Sequence, residues 1–196
     1  SLHFYGTRGG QWMNLMKAAA HTRNVFHRMG AKPRFKFHYI EHHLAHAASA
    51  FFLSGFDEAA IFTIDGSGEI ACGTLCKGEG NRITKLKQYN YPHSMGYLYA
   101  SVTHHLGFRP ARDEGKVMGL TSYGDPSVYE KEFDKIVLLG EGGDVRLDLD
   151  YFEYQRNGVG PHDPELNWVS DKFRKLFGPP RRAHDPIEKR HQQIAA

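Results

Sequence analysis

Residues 58–91 constrain the fold more tightly than any other stretch. "AAIFTI" is a continuous apolar run that stops at "DGSGE"; "IACGTLCKG", the turn "EGN" and "RITKLKQYNY" follow. β-Branched and aromatic residues bounded by glycine turns read as strands, and turns this short join neighbours antiparallel. The spacing predicts a strand ending in a glycine-rich turn and then two further strands of an antiparallel meander. Helical periodicity lies on both sides. "QWMNLMKAAAHTRNVFHRMG" repeats Trp12, Leu15, Met16 and Ala19 at helical spacing, with Gly30 as terminator. The segment from Glu41 to Gly55 and "SMGYLYASVTHHLGF" after Pro92 read as two more helices, and another follows "DEGKVMGLTSYGDP".

Two further segments alternate with period two. "RFKFHYI" places Phe35, Phe37 and Tyr39 on one face, as a strand does, and "DVRLDLDYF" does the same with Val145, Leu147, Leu149 and Tyr151. The expected class is α/β, a central mixed sheet with a meander and flanking helices. Near the C-terminus, Asp185 as N-cap, Pro186 in the first turn and Glu188 three residues after the cap announce a helix. That helix runs into "IAA" without a terminator, and the N-terminus opens on a glycine-containing loop and helix without a strand. The chain therefore reads as a fragment of a longer protein.

Composition narrows the class. With 40% hydrophobic and 24% charged residues in 196, the chain is that of a soluble globular protein. No apolar run approaches the roughly 18–20 residues of a spanning helix, and "SLHFYGTRGGQW" lacks the regions of a signal peptide. A cytoplasmic protein with no membrane partner is expected. Cys72 and Cys76, four strand residues apart, are separated by about 13 Å, beyond disulfide reach of about 7 Å. They read as buried thiols in a reducing compartment. Residues 1–40 hold seven Lys or Arg and no Asp or Glu. Such asymmetry can mark a nucleic-acid face or a site for anionic substrates, but these charges are loosely spaced without interleaved aromatics, so they read as a solvated surface with no nucleic-acid partner.

Chemistry concentrates at "IEHHLAHAASAFFLSGF". On a helix His42 and His46 share one face with Cβ atoms roughly 6 Å apart, a spacing that lets two imidazoles share a metal ion, whereas His43 is turned about 100° away. The glutamate of zincin helices is missing, and a histidine pair alone is usually a structural one. Asp65 closes the apolar strand and opens "DGSGE", where glycines let the backbone approach a ligand. Two histidines and a carboxylate form an open ligand set for a divalent first-row metal such as iron. The bland reading of "DGSG" is a type I′ or II′ hairpin turn, which is compatible with backbone N–H groups wrapping a phosphate.

"EHHLAHAASAFFLSGFDEAAIFTIDGSGE", "YPHSMGYLYASVTHHLGF", "EGKVMGLTSYGDP" and "LDLDYFEY" occur in that order. Together they resemble the carbamoyltransferases of the nodulation-factor and antibiotic-biosynthesis type (the NodU/CmcH group), densely over residues 34–155. The resemblance implies a partial actin-like ATPase (ribonuclease H-like) domain, similar to the tRNA threonylcarbamoyl transferase subunit, across residues 1–196. A YrdC-type domain that makes carbamoyl-adenylate from carbamoyl phosphate and ATP is absent here. So are the opening strand and first phosphate turn, a later aspartate that completes the metal site, and the adenosine motif. The implied reaction is transfer of the carbamoyl group to a hydroxyl of a small-molecule acceptor, with Fe²⁺ or another divalent metal as cofactor. This piece would need the missing parts of its parent chain for the full reaction.

On that resemblance the metal pair falls on His42 and His46, and "IDGSGE" on a phosphate-binding turn with Asp65 as ligand, substrate contact or base. Gly66, Ser67 and Gly68 would hold phosphate through backbone N–H groups, Lys116 would offset its charge and Glu114 would orient the acceptor. At a helix start Glu114 and Lys116 can equally be a solvated acid and an amphipathic stem. His93, His104 and His105 read mainly as structural, or as groups that support the ligands from behind. The competing readings are a metal-dependent phosphohydrolase, an actin-like kinase, and a folded interaction module whose histidines are merely buried.

Overall fold

A computed structural model describes residues 17–32, 34–157 and 167–196. The meander forms as read: β1 (Glu58–Ile64), β2 (Ala71–Glu79) and β3 (Arg82–Asn90) make one antiparallel sheet in that order. Its register pairs Ile61 with Cys76 and Cys76 with Lys85, with a shift between Leu75 and Cys76. Both cysteines are buried on β2, and neither is in a disulfide. The apolar run of β1 is covered on one face only. Ile61 and Thr63 point inward, while Phe62 and Ile64 are exposed.

Residues 17–28 are helical (α1) and end in a turn at Gly30, whose φ of 76° explains the glycine. Trp12, Leu15 and Met16 lie outside the described residues. "RFKFHYI" is not a strand. Residues 34–40 have no regular structure, because alternation alone cannot satisfy a strand's backbone without a neighbour to pair with. Tyr39 and Ile40 are exposed there.

Helix α2 (His42–Phe51) then lies across the meander. Ala47 and Phe51 pack on Ile61 and Cys76 in a small core. The Phe51 ring sits so close to Gly78 that a Cβ built there would be 2.6 Å from it.

The larger core gathers helices and a hairpin: α3 (Met95–His105), α4 (Glu114–Leu120), a short α5 (Glu130–Phe133), then β4 (Val137–Gly140) paired antiparallel with β5 (Asp144–Leu147). α6 (Tyr154–Asn157), α7 (Asp171–Phe177) and α8 (Lys189–Ala195) complete it. Leu106, Val117, Ile136, Phe152, Tyr154, Phe173 and Phe177 are its most enclosed members. The protein is thus mixed α/β, but both sheets among the described residues are antiparallel, where a mixed sheet was expected.

Two other expectations change. The alternation in "DVRLDLDYF" breaks after Leu147, where Asp148 accepts the Asp150 N–H and caps a single 3₁₀ turn over Leu149–Tyr151. The C-terminal helix is capped by Glu188 rather than Asp185. His191 Nδ1 accepts the Glu188 N–H at 2.9 Å, completing a reciprocal capping box, while Asp185 instead accepts the Arg182 N–H. Among the described residues no helix is long and apolar enough to cross a membrane.

Two histidines of the larger core are structural in plain view. His93 Nδ1 accepts the Leu147 N–H and so ties β5 to the loop before α3. His105 is 1% exposed, stacks edge-on against Phe173 at 5.1 Å between centroids, and among the described residues has no hydrogen-bond partner at either ring nitrogen.

A candidate metal centre beside a glycine loop

The site begins with helical spacing. His42 and His46, one turn apart on α2, bring their Nε2 atoms to 3.0 Å. Asp65, the first residue after β1, places Oδ2 2.7 Å from His42 Nε2 and 3.5 Å from His46 Nε2. All three ligand atoms lie within 4.8 Å of one another. Ligands bound about 2.1 Å from a common ion stand roughly 3 Å apart, so the residues fit a divalent metal as they stand.

A ring nitrogen either carries a proton or offers a lone pair, so one N–H on His42, shared between Asp65 Oδ2 and His46 Nε2, is the proton-only alternative to a metal. A cation satisfies all three lone pairs together.

Asp65 is oriented by its own turn. Burial acts to raise its carboxyl, but the bond to His42, the Gly66 N–H and the nearby imidazoles hold it below the usual carboxylate range. Gly66 N–H donates to Asp65 Oδ1 at 2.6 Å, which leaves Oδ2 for the histidines.

His43 faces the other way and is fully buried. Its Nε2 lies 3.1 Å from the Ala71 carbonyl, which only an N–H can satisfy. Nδ1 therefore accepts from the Thr63 hydroxyl at 2.8 Å. Burial lowers its pKa and keeps it neutral. His43 thus pins α2 to β1 and β2, which fixes the rotation that turns His42 and His46 towards Asp65.

The glycine loop is clamped between two helices. A Cβ on Gly68 would lie 2.8 Å from His42 Cβ, and one on Gly96 would lie 2.5 Å from the Asp65 carbonyl and the Gly66 nitrogen. The Ser94 hydroxyl, N-cap of α3, reaches the Asp65 and Gly66 carbonyls and accepts the Tyr97 N–H. Tyr97 OH meets Ser67 Oγ at 2.9 Å. Ser94, Gly96 and Tyr97 were not singled out in the sequence. The legible signal was only a serine cap followed by a small residue in the first turn.

Replacing Gly96 by alanine sets two effects against each other. A helix gains at most about 1 kcal/mol from the change, while displacing backbone at 2.5 Å costs about 1–3 kcal/mol or more. The clash wins, so Gly96→Ala lowers stability in urea unfolding. Gly115→Ala in α4, where a Cβ meets open space, raises stability by up to about 1 kcal/mol.

The other predicted residues are placed unevenly. A cavity of about 1340 Å³ is lined by Asp65, Gly66, Ser67, Gly68, Tyr97 and Glu114 among others. Gly66 N–H is taken by Asp65, and Gly68 N–H donates to the Ala71 carbonyl at 2.7 Å. Glu114 Oε1 accepts the N–H of Ala111, which has φ of 60°. Lys116 is not among the lining residues: its Nζ pairs with Asp113 at 3.0 Å and its side chain is 61% exposed.

Comparison with known proteins agrees with the motifs. Residues 12–196 match the family described as Carbamoyltransferase N-terminus, and the chain belongs to that family. It is 41% identical over 157 residues to the uncharacterized protein sll1178 of Synechocystis sp., covering 80% of this chain and 24% of that protein. It is 41% identical over 112 residues to the nodulation protein NolNO of Sinorhizobium fredii, covering 57% of this chain and 16% of that protein. With the nodulation protein NolO of Bradyrhizobium diazoefficiens it shares 39% over 111 residues, 57% of this chain and 20% of that protein. The chain therefore spans a quarter or less of the length of these relatives.

Proposed function

We propose that the protein carrying this chain transfers a carbamoyl group from carbamoyl phosphate, by way of carbamoyl-adenylate, to a hydroxyl of a small-molecule acceptor. In this reading the chain is the metal-binding part of an actin-like transfer domain, ATP is a substrate of the parent enzyme, and a YrdC-like domain elsewhere in it makes the adenylate. The observation that carries the proposal is the convergence of His42 Nε2, His46 Nε2 and Asp65 Oδ2 in a chain of the carbamoyltransferase family.

His42, His46 and Asp65 would hold the metal, Fe²⁺ or another divalent ion. Bound there, it supplies Lewis-acid polarisation of a carbonyl or phosphate oxygen. Asp65 serves as ligand rather than base. A carboxylate held below its usual range is a weak proton acceptor, and Oδ2 already faces two imidazoles. Ser67 and Tyr97 offer hydroxyls on the cavity wall, and Glu114 an acceptor across it, for orienting a hydroxylated substrate. Lys116, turned to Asp113, would have to swing to reach a phosphate.

The test uses the full-length protein with ATP, carbamoyl phosphate and a panel of polyhydroxylated acceptors. AMP and a carbamate ester should appear in equal amounts, and only when all three are present. ATP turnover that ignores carbamoyl phosphate would instead make the protein a phosphohydrolase or kinase on the same turn.

A further inference from the structure

The loop that carries Asp65 is held by a hydroxyl pair, Ser67 and Tyr97, that also faces the cavity. Tyr97, in the first turn of α3, lays its ring 3.1 Å from where a Gly66 Cβ would be and bonds Ser67 Oγ at 2.9 Å. On the same turn Ser94 reaches the Asp65 and Gly66 carbonyls. The Asp65–Ser67 backbone is therefore fixed from the α3 side at each residue, while His42 abuts Gly68 from the α2 side.

The consequence follows along the chain. Holding Ser67 fixes the Gly66–Ser67 peptide and the Gly66 Cα beneath the ring. With Ser94 holding the Asp65 carbonyl, which shares a peptide plane with the Gly66 N–H, that sets the direction of the Gly66 N–H, which donates to Asp65 Oδ1. The same bond fixes the Asp65 rotamer and so aims Oδ2 at the two Nε2 atoms. A clamp two bonds removed from a ligand acts as outer-shell partners of metal ligands do, by orienting the ligand before the ion arrives.

We infer that Tyr97 is a positioning residue of the metal centre, acting through Ser67 and the Gly66 amide to preset the Asp65 carboxylate. The inference rests on the metal reading proposed above. The hydroxyl, not the ring, carries the role, so it is separable from packing. The Tyr97 ring belongs to a cluster with Tyr91, Tyr154 and Trp168 that a phenylalanine would preserve.

The experiment compares this chain with Tyr97→Phe, Ser67→Ala, the double variant and Ser67→Thr, using Co²⁺ as the probe under anaerobic conditions. Loss of an outer-shell partner costs metal affinity about 10-fold or more. Tyr97→Phe and Ser67→Ala should each weaken Co²⁺ binding by about 10-fold, the double variant no further, and Ser67→Thr not at all. Without metal, amide hydrogen exchange in peptides spanning residues 65–70 should quicken in Tyr97→Phe while the melting temperature holds.

Wild-type Co²⁺ affinity in Tyr97→Phe overturns the inference, whether or not exchange quickens. Additive losses in the double variant overturn the shared path through Ser67. If the unmodified chain binds no Co²⁺, the metal reading itself fails, and the inference with it. The two failures are distinguishable because only the second is seen without any variant.

Discussion

Between pH 6.5 and pH 4 the fold should lose about 3 kcal/mol through His105 alone. Burial pushes its pKa from 6.5 down to about 4, and the charges of Arg190, His104, Arg174 and His191 add to the effect. The folded state thus resists a proton that the unfolded chain accepts readily. As the pH falls, the unfolded chain takes up that proton first, near 6.5, and the folded chain only near 4. His105 therefore contributes full stability above about pH 6.5, loses it progressively as the pH falls to about 4, and changes nothing further below that. At 1.36 kcal/mol per pKa unit the drop is about 3 kcal/mol, a large share of a domain's typical 5–15 kcal/mol.

Among the described residues no hydrogen bond offsets the cost, since neither ring nitrogen has a partner there and Phe173 covers the ring. His43 and His191, also lowered mainly by burial, push in the same direction. Urea unfolding at a series of pH values measures the slope. In His105→Phe, which keeps an aromatic ring against Phe173, the acid limb should flatten. An unchanged slope would show that His105 does not carry it.

Much of the site was legible because its parts are local. The four-residue spacing of His42 and His46 guarantees one face of a helix, and period 3.6 alone sends His43 elsewhere. Asp65 was legible as the residue that ends an apolar strand at a glycine turn, and the meander followed from its turns. Other features depend on partners distant in sequence. Ser94, Gly96 and Tyr97 reach the loop across some thirty residues, so no local pattern ties them to Asp65.

Residues 34–40 alternate as a strand would, yet among the described residues no strand pairs with them. Asp185 and Pro186 carry the usual helix-start chemistry, but the reciprocal bond between Glu188 and His191 set the cap three residues later. Lys116 read as a phosphate contact from its motif, and a neighbouring aspartate one turn away took its charge instead.

The central claim is that His42, His46 and Asp65 serve one ion. Anaerobic titration of the unmodified chain with Co²⁺, followed by ligand-field absorption beside His46→Ala and Asp65→Asn, tests it most directly. The unmodified chain should bind one equivalent. His46→Ala should lose more than about 100-fold in affinity, beyond the range seen for outer-shell partners. Asp65→Asn, which keeps the shape but removes the charge, should weaken binding in the same direction. Absence of binding in the unmodified chain, or undiminished binding in His46→Ala, would leave the histidines as a structural cluster.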